Sequence, residues 1–339
     1  MKDNLIIIRT DGGAASQVAF CALGKFFEDK GYQVKYDMSW FEEYGPNHPG
    51  GDYIMNKAFP NLRTEFATKE EVSLYKEKYA RQNEPLEECK PPMWIGGYPE
   101  ERPFLSVKYR EFFAQNFAFG TDDDKQKGIL EDILANNACG VHIRRVELVE
   151  FSPCYGYPAD KEYFLKVMDI VDKTNDNVKF YFFSDEMEWV KEHIVPYIKD
   201  KKYEIIEEND DRNGYLDMYL LSRCKIIISS NGGFALTARL LSNYKDVQLW
   251  MCKNWDFICE APDLDNIYIY IRPKTIVDRK KIFKADFEIQ DEFKIQVPVC
   301  VVSNVDRKKY KKYKRLFNAL LVVLIVLMAI LGILIAQDF

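Results

Sequence analysis

The sequence predicts an α/β protein with two Rossmann-like domains facing a cleft and a transmembrane helix at its C-terminal end. Three observations predict this. Short apolar runs such as "LIII" and "KIIISS" alternate with stretches of helical periodicity, the pattern of parallel strands covered on both faces. The alternating series occurs twice, over 4–38 and 139–250, on either side of a stretch rich in proline, glycine and aromatics at 44–105. Finally, Leu316–Ala336, "LFNALLVVLIVLMAILGILIA", holds no charged residue and as a helix would span about 31 Å, one hydrocarbon core.

In chain order, "NLIIIRT" (4–10) reads as a strand, "DGGAAS" as a turn, and 16–31 as an amphipathic helix ending on glycine. Strand 32–38 completes a βαβ opening. Within the irregular insertion 44–105 only "TKEEVSLYKEKYARQ" (68–82) has helical character. Helices follow at 109–117 and, with a capping run of aspartates, at 121–137. The second series has strands at 139–143, 178–185, 203–208, 225–230 and 247–250, with helices at 160–175, 186–198, 214–224 and 232–243 between them. This places an N-terminal domain at 1–138, a second Rossmann-like domain at 139–275, a connector at 276–315 and the membrane anchor at 316–336.

A net charge of −6 argues against a general nucleic-acid binder. The charge is uneven, because "RKKYKKYKR" just before the anchor carries seven basic residues and should stay on the cytoplasmic side, against anionic lipid. The eight cysteines include no C-x-x-C pair and there are three histidines, so neither a zinc site nor a disulfide framework is expected. Cys21, Cys139 and Cys224 lie in apolar runs and read as reduced core residues. The D-x-D spacings in "DDD" (122–124) and "DLD" (263–265) read as capping or solvated runs rather than metal ligands.

The chemistry concentrates where the strands of the second series end. "GVHIRRVE" places His142, Arg144 and Arg145 at one strand end, Ser184 and Asp185 close the next, and Ser230, Asn231, Gly232, Gly233 and Phe234 lead from a third into a helix. Buried cationic groups need an anion. Two arginines can grip phosphate oxygens bidentately, and a Gly-Gly step at a helix N-terminus lets backbone amides approach a phosphate. An acid at a neighbouring strand end suits a ribose hydroxyl or a base amine. Together these describe a nucleoside diphosphate site that requires no metal or cofactor. Strand alternation sends the two arginines to opposite faces. Asp185 is either a ligand acid or a helix N-cap, roles that can coexist, and each arginine is either a phosphate ligand or half of a structural ion pair.

Four segments carry a family resemblance. "GVHIRRVE" resembles the H-x-R-R-x-D motif of the α-1,2-fucosyltransferases and their inverting relatives, and "FFSDEMEWVKEHI" resembles their S-D-D-x-x-W-V-K segment. "DMYLLSRCKIIISSNGGFA" is similar to D-L-x-L-M-S-x-C-x-x-x-I-x-x-N-S-S-F-S, and the N-terminal "IIIRTDGGAASQVAFCALGKFF" to the G-G-L-G-N-Q-x-x-Q-Y-A opening, which points to Gly12, Gly13 and Gln17. The match runs in order from about 4 to 250. The chain departs from the family at Ala15-Ser16, at Val146-Glu147 in place of Gly-Asp, at Gly232-Gly233 in place of Ser-Ser, and at Leu236-Thr237 in place of a tryptophan pair.

The resemblance implies a GT-B fold, GDP-L-fucose as donor, inversion at the anomeric carbon, no required metal, an acceptor-holding first domain and a donor-holding second domain. It implies a GDP-sugar and an oligosaccharide or lipid-linked glycan as partners, in bacterial surface-polysaccharide assembly; the anchor segment places the chain at the inner membrane with its catalytic part cytoplasmic. A transferase for another nucleotide sugar or linkage, and a catalytically silent nucleotide- or glycan-binding scaffold at the membrane, stay open as alternatives. Arg145 would stabilise the leaving pyrophosphate. The general base stays open between Asp11 and Glu147.

Overall fold

The computed structural model describes residues 4–47, 51–81, 84–97, 102–146, 158–210, 212–230, 232–252 and 267–270. The chain divides into two compact units, and both sheets described below belong to the first. The second unit, 256–263 and 298–339, lies outside the described residues, and with it the anchor 316–336 and the basic run before it. Among the described residues no helix is long and apolar enough to cross a membrane.

The first sheet has three parallel strands in the order β2-β1-β3: β1 Leu5–Arg9, β2 Gln33–Asp37 and β3 Met93–Ile95. Four of the five β1 residues are buried, which is why the sequence shows an unbroken apolar run there rather than an alternation. Helix α1, Ala14–Glu28, crosses from β1 to β2 and buries Val18, Phe20, Cys21, Leu23 and Phe27. Short helices α2 (Ser39–Glu43) and α3 (Met55–Ala58) follow β2.

Strand β3 corrects the expectation that 44–105 is irregular. It is three residues long and gains its identity from pairing with β1, a contact that a local reading of "MWI" does not contain. The insertion is stitched to the sheet at both edges. Tyr36 and Phe66 form a parallel bridge, as do Ala80 and Trp94. Helix α4, Lys69–Lys78, opens with a capping box in which Thr68 and Glu71 satisfy each other's backbone amides. Glu71 also receives Lys35 of β2 at 2.6 Å, so one carboxylate caps the helix and ties it to the sheet.

Helices α5 (Val107–Asn116) and α6 (Asp124–Ala135) lead to the second sheet. Asp123 caps α6 by accepting from the amides of Lys125 and Gln126, and Asp122 and Asp124 are solvated, so the "DDD" run is a helix start. The second sheet is wholly parallel, with β4 Asn137–Ile143, β5 Val178–Ser184, β6 Lys202–Ile205, β7 Ile226–Ser229, β8 Gln248–Cys252 and β9 Ile267–Tyr270. Their spatial order is β6-β5-β4-β7-β8-β9. This is the 3-2-1-4-5-6 winding of a dinucleotide-type fold, with its switch point between β4 and β7. Strand β9 was not expected from the sequence; it is an edge strand defined by its pairing with β8.

The crossover helices are α7 (Lys161–Thr174), α8 (Met187–His193), α9 (Gly214–Ser222) and α10 (Gly233–Leu240). Helix α7 starts on Asp160, whose carboxylate accepts from the Tyr163 amide at 3.0 Å, and lays Tyr163, Phe164, Val167, Met168 and Val171 on the sheet. Helix α8 is shorter than its sequence pattern, because Pro196 converts the expected continuation into a 3₁₀ turn at Val195–Tyr197. The core of this half joins Val141, Ile143, Phe180, Phe182, Ile226, Ile228 and Trp250 to the α7 face. Cys21, Cys89, Cys139 and Cys224 are buried free thiols.

Gly140 lets α9 approach β4. A Cβ there would stand 2.3 Å from Leu221 Cδ1 and 3.1 Å from Cys224 Sγ. Gly140→Ala is therefore expected to lower stability by about 1–3 kcal/mol through overpacking. In a chemical-denaturation double-mutant cycle, combining it with Leu221→Ala should cost clearly less than the two single losses added together.

Candidate functional site

Three strands of the larger sheet end level with one another at the switch point. His142 lies opposite Phe183 on one side and Ser229 on the other, and Ile143 lies opposite Ser184. Beyond these pairs the backbone of β4 continues into Arg144, Arg145 and Val146 and is held by the loops that follow its two neighbours. The Arg144 amide donates to Ser230 Oγ at 2.9 Å, and the Ser230 amide donates back to the His142 carbonyl at 3.0 Å. On the other flank the Asp185 carboxylate accepts from the amides of Arg145 at 2.8 Å and Val146 at 3.3 Å. Burial pushes the Asp185 carboxyl above its ordinary range, while these amides and Arg144 pull it down. Deeper in, the fully buried Tyr163 hydroxyl donates to the Ser229 carbonyl at 2.8 Å, fixing the end of β7.

This frame separates the two arginines. Arg145 turns toward α8, where its Nε donates to Glu186 Oε2 at 2.9 Å and its guanidinium lies 4.0 Å over the Trp189 ring. Arg144 turns toward β7. A Cβ added to Gly232 would stand 3.3 Å from Arg144 Nη1, and Gly232 itself has φ +125°, a conformation that side chains rarely adopt. Gly232 thus gives the chain both its turn into α10 and room for the guanidinium. His142 shares the Arg144 side, as alternation requires, and stacks on Phe234 with ring centroids 4.8 Å apart and planes 13° from parallel. Its Nδ1 is buried with no hydrogen-bond partner among the described residues. Burial, aided by the charge of Arg144, depresses the His142 pKa to about 3, so the ring is neutral at physiological pH.

Across from α10 stands the loop that follows β1. A Cβ on Gly233 would lie 3.5 Å from the Ala15 Cβ, so the starts of α1 and α10 meet. Asp11 sits in this loop; burial raises its carboxyl and the nearby Arg9 opposes the rise. Gly12 and Gly13 lead into α1, with Gly13 as its N-cap. Such an edge can bind a diphosphate. It offers the amides at the start of α10, one guanidinium beside them, a neutral polar ring and a carboxylate on the facing loop.

Several residues singled out in the sequence are already engaged within the protein. Arg145 belongs to the Glu186–Trp189 cluster, so the arginine beside Gly232 is Arg144. Gln17 is fully buried: its Nε2 donates to the carbonyls of Gly12 and Asp52, and its Oε1 accepts from the Ile54 amide. It therefore locks the glycine turn onto the insertion, and the expectation that it contacts a ligand gives way to a positioning role. Ser184 Oγ accepts from the Glu186 amide at 3.0 Å. Asp185 clamps the β4 exit instead of capping α8, whose N-cap, Glu186, makes no side-chain cap bond. Glu147 and Asn231 lie outside the described residues. The partnership of Glu186 and Trp189 with Arg145 has no signal in the sequence; their spacing from Asp185 becomes informative only once β4 and β5 are known to be neighbours.

The neutral histidine, half-buried with its Nδ1 shut off from solvent, makes stability depend on pH. Its folded pKa lies below its unfolded value of 6.5, so the unfolded chain takes up a proton that the fold refuses, and stability falls as pH drops through the interval from about 6.5 toward about 3. This one residue should contribute a slope of about 1.4 kcal/mol per pH unit in the middle of that interval. Denaturation of wild type and His142→Phe between pH 6.5 and 4.5 should show the variant losing less stability by that amount.

Residues 106–265 match the model of glycosyl transferase family 11. An α-1,2-colitosyltransferase from Escherichia coli is 29% identical over 160 residues, covering 44% of this chain and 51% of that protein, so the chain spans about half the length of this relative. Among solved structures, the fucosyltransferase NodZ from Bradyrhizobium aligns with 15% identity over 71% of this chain and 94% of its own, at a TM-score of 0.42. POFUT1 in complex with GDP aligns with 11% identity over 70% of this chain and 95% of its own, at a TM-score of 0.38. The matched segment carries β4 to β8, with the arginine pair and the Gly-Gly turn, and is similar to glycosyl transferase family 11.

Proposed function

We propose that the protein transfers a sugar, L-fucose in the first instance, from a GDP-linked donor to a hydroxyl of a glycan acceptor, inverting the anomeric carbon and forming a 1,2 linkage. The observation that carries this reading is Arg144 packed beside Gly232 at the start of α10, at the switch point of the sheet in the segment that matches the family 11 model. The pyrophosphate lies against the α10 amides and the Arg144 guanidinium. The acceptor oxygen forms its bond to the anomeric carbon as the bond from that carbon to the β-phosphate oxygen breaks. The electron pair leaves with GDP, where Arg144 stabilises the growing charge. The acceptor proton passes to a carboxylate; Asp11, on the facing loop and shifted upward by burial, suits that role. The residues that hold the diphosphate are an arginine and backbone amides, so this reading needs no metal ion.

The name of the E. coli relative supports colitose as a second donor sugar with the same linkage. The apolar segment Leu316–Ala336 and the basic run before it support attachment to the inner membrane, where a lipid-linked acceptor would be held at high effective concentration.

Thermal-shift measurements on the full chain test this reading. GDP should raise the melting temperature more than UDP or CMP, and EDTA should leave the effect in place. Arg144→Ala should abolish most of the GDP response, a loss of about 1.5–3 kcal/mol in binding. Arg145→Ala should lower the unliganded melting temperature through loss of the Glu186 pair and the Trp189 stack and leave the GDP response in place. A GDP response that survives Arg144→Ala, or an equal response to UDP, would overturn the assignment. Incubation with GDP-fucose and GDP-colitose in parallel, scored by GDP release, distinguishes the two donors.

A further inference from the structure

The smaller sheet carries a run of aromatic rings at the same edge as Asp11, and the donor site does not use them. Strand β2 ends at Asp37, whose buried carboxylate accepts from the Ser39 amide at 2.9 Å and from Trp94 Nε1 at 3.1 Å. Those two bonds fix the start of α2 and so the position of Trp40. The Trp40 ring packs edge-on against Phe41 at 5.1 Å and lies 6.3 Å from Tyr44. Through Phe41 the run continues to Tyr53 and Phe66, at centroid distances of 5.8 and 5.5 Å. It is not a closed core: Tyr44 is 48% exposed and Phe66 45% exposed.

Polar groups border the rings on the side of the donor loop. The Thr10 amide donates to the Asp37 carbonyl at 3.2 Å, which joins the ends of β1 and β2. Arg9 is close enough to act electrostatically on both Asp11 and the Tyr44 hydroxyl. Two residues past Gly13, Ala15 meets Gly233. Exposed rings, a guanidinium and a partly desolvated carboxylate therefore share one edge that ends at the start of α10.

We propose that Trp40 and Tyr44 form the stacking platform for the acceptor pyranose that carries the attacking hydroxyl, an assignment that rests on the transferase reading above. A pyranose has an apolar C–H face and a rim of hydroxyls. The rings accept the face, while Arg9 and Asp11 meet the rim. Tryptophan and tyrosine suit this task because each presents a rigid amphipathic surface at small cost in side-chain entropy.

The test uses the full chain in a zwitterionic detergent, which avoids sugar head groups, with Trp40→Ala, Tyr44→Ala and Trp40→Phe. Saturation-transfer NMR with methyl glycosides of galactose, glucose and N-acetylglucosamine, in the presence of GDP, reads saccharide contact without requiring turnover. Wild type should saturate the ring C–H protons of at least one glycoside, and each alanine variant should weaken that signal tenfold or more. Where transfer is measurable, acceptor KM should rise at least tenfold, with kcat changing less than threefold and the GDP thermal shift preserved; Trp40→Phe should recover most of the loss. Tyr44, being largely exposed, keeps the test valid if Trp40→Ala fails to fold. Saccharide contact and acceptor KM within twofold of wild type in a folded alanine variant would overturn the platform, as would absence of contact with every glycoside in wild type, or a change of oligomeric state with saccharide contact intact. Platform-dependent saccharide binding without GDP binding or sugar transfer would instead leave the platform standing and remove the transferase reading.

Discussion

The exit of β4 is held from both sides, and the arrangement of the site depends on that hold. Asp185 accepts from two consecutive amides, those of Arg145 and Val146, while Ser230 accepts from the Arg144 amide and donates its own to His142. Three successive residues therefore have their backbone donors satisfied by side chains from the loops of the flanking strands. Without such partners a parallel strand that outruns its neighbours would leave these amides unpaired at a partly buried edge. With them the chain leaving Ile143 is fixed in place, and the side chains of Arg144 and Arg145 diverge to opposite flanks. The split between Arg144 and Arg145 follows from this hold.

The charges at the edge follow from the split. Arg145 is balanced by Glu186 and its face is covered by Trp189. His142 would add a second cation beside Arg144 if protonated, but burial and that same arginine keep it neutral. The positive character of the donor edge thus comes from the half-buried Arg144 guanidinium, whose charge also reaches Asp185, and from the amides of α10. Glycine at 232 lets the guanidinium approach the turn closely, where any side chain would crowd Nη1 at 3.3 Å. The serine hydroxyls found here in the resembling family are traded for that proximity.

Much of this was legible in the sequence, for reasons specific to each element. The buried strands β1, β4, β5 and β7 appear as continuous apolar runs because both faces of a parallel sheet are covered. Helices α6 and α7 announce themselves through the capping residues Asp123 and Asp160. Strands β3 and β9 did not stand out, since each is an edge strand of at most four residues whose identity lies in its partner. Alternation predicted that the two arginines diverge but not which one meets the glycine turn, because that depends on β5 and β7 lying on opposite sides of β4. Gln17 is a ligand contact only by the resemblance of the N-terminal segment to the family's opening; its three backbone partners include Asp52 and Ile54 in the insertion, beyond the reach of local pattern.

The meeting of α1 and α10 gives the edge its electrostatic direction. Both helices start from a glycine, Gly13 and Gly232, and neither has an acidic residue in its first turn or a side-chain cap. Most helices offset the partial positive charge of their first amides with a serine, threonine or aspartate at the N-cap. Here two uncompensated ends converge, with Gly233 facing Ala15 and the Arg144 guanidinium alongside. Like partial charges at this range repel, and a dianionic group placed between them would be favoured from both sides at once. Glycine at each start also removes the side chains that would otherwise fill the gap. The two helix starts would thus favour an anion at the place where alternation and the Asp185 clamp deliver Arg144.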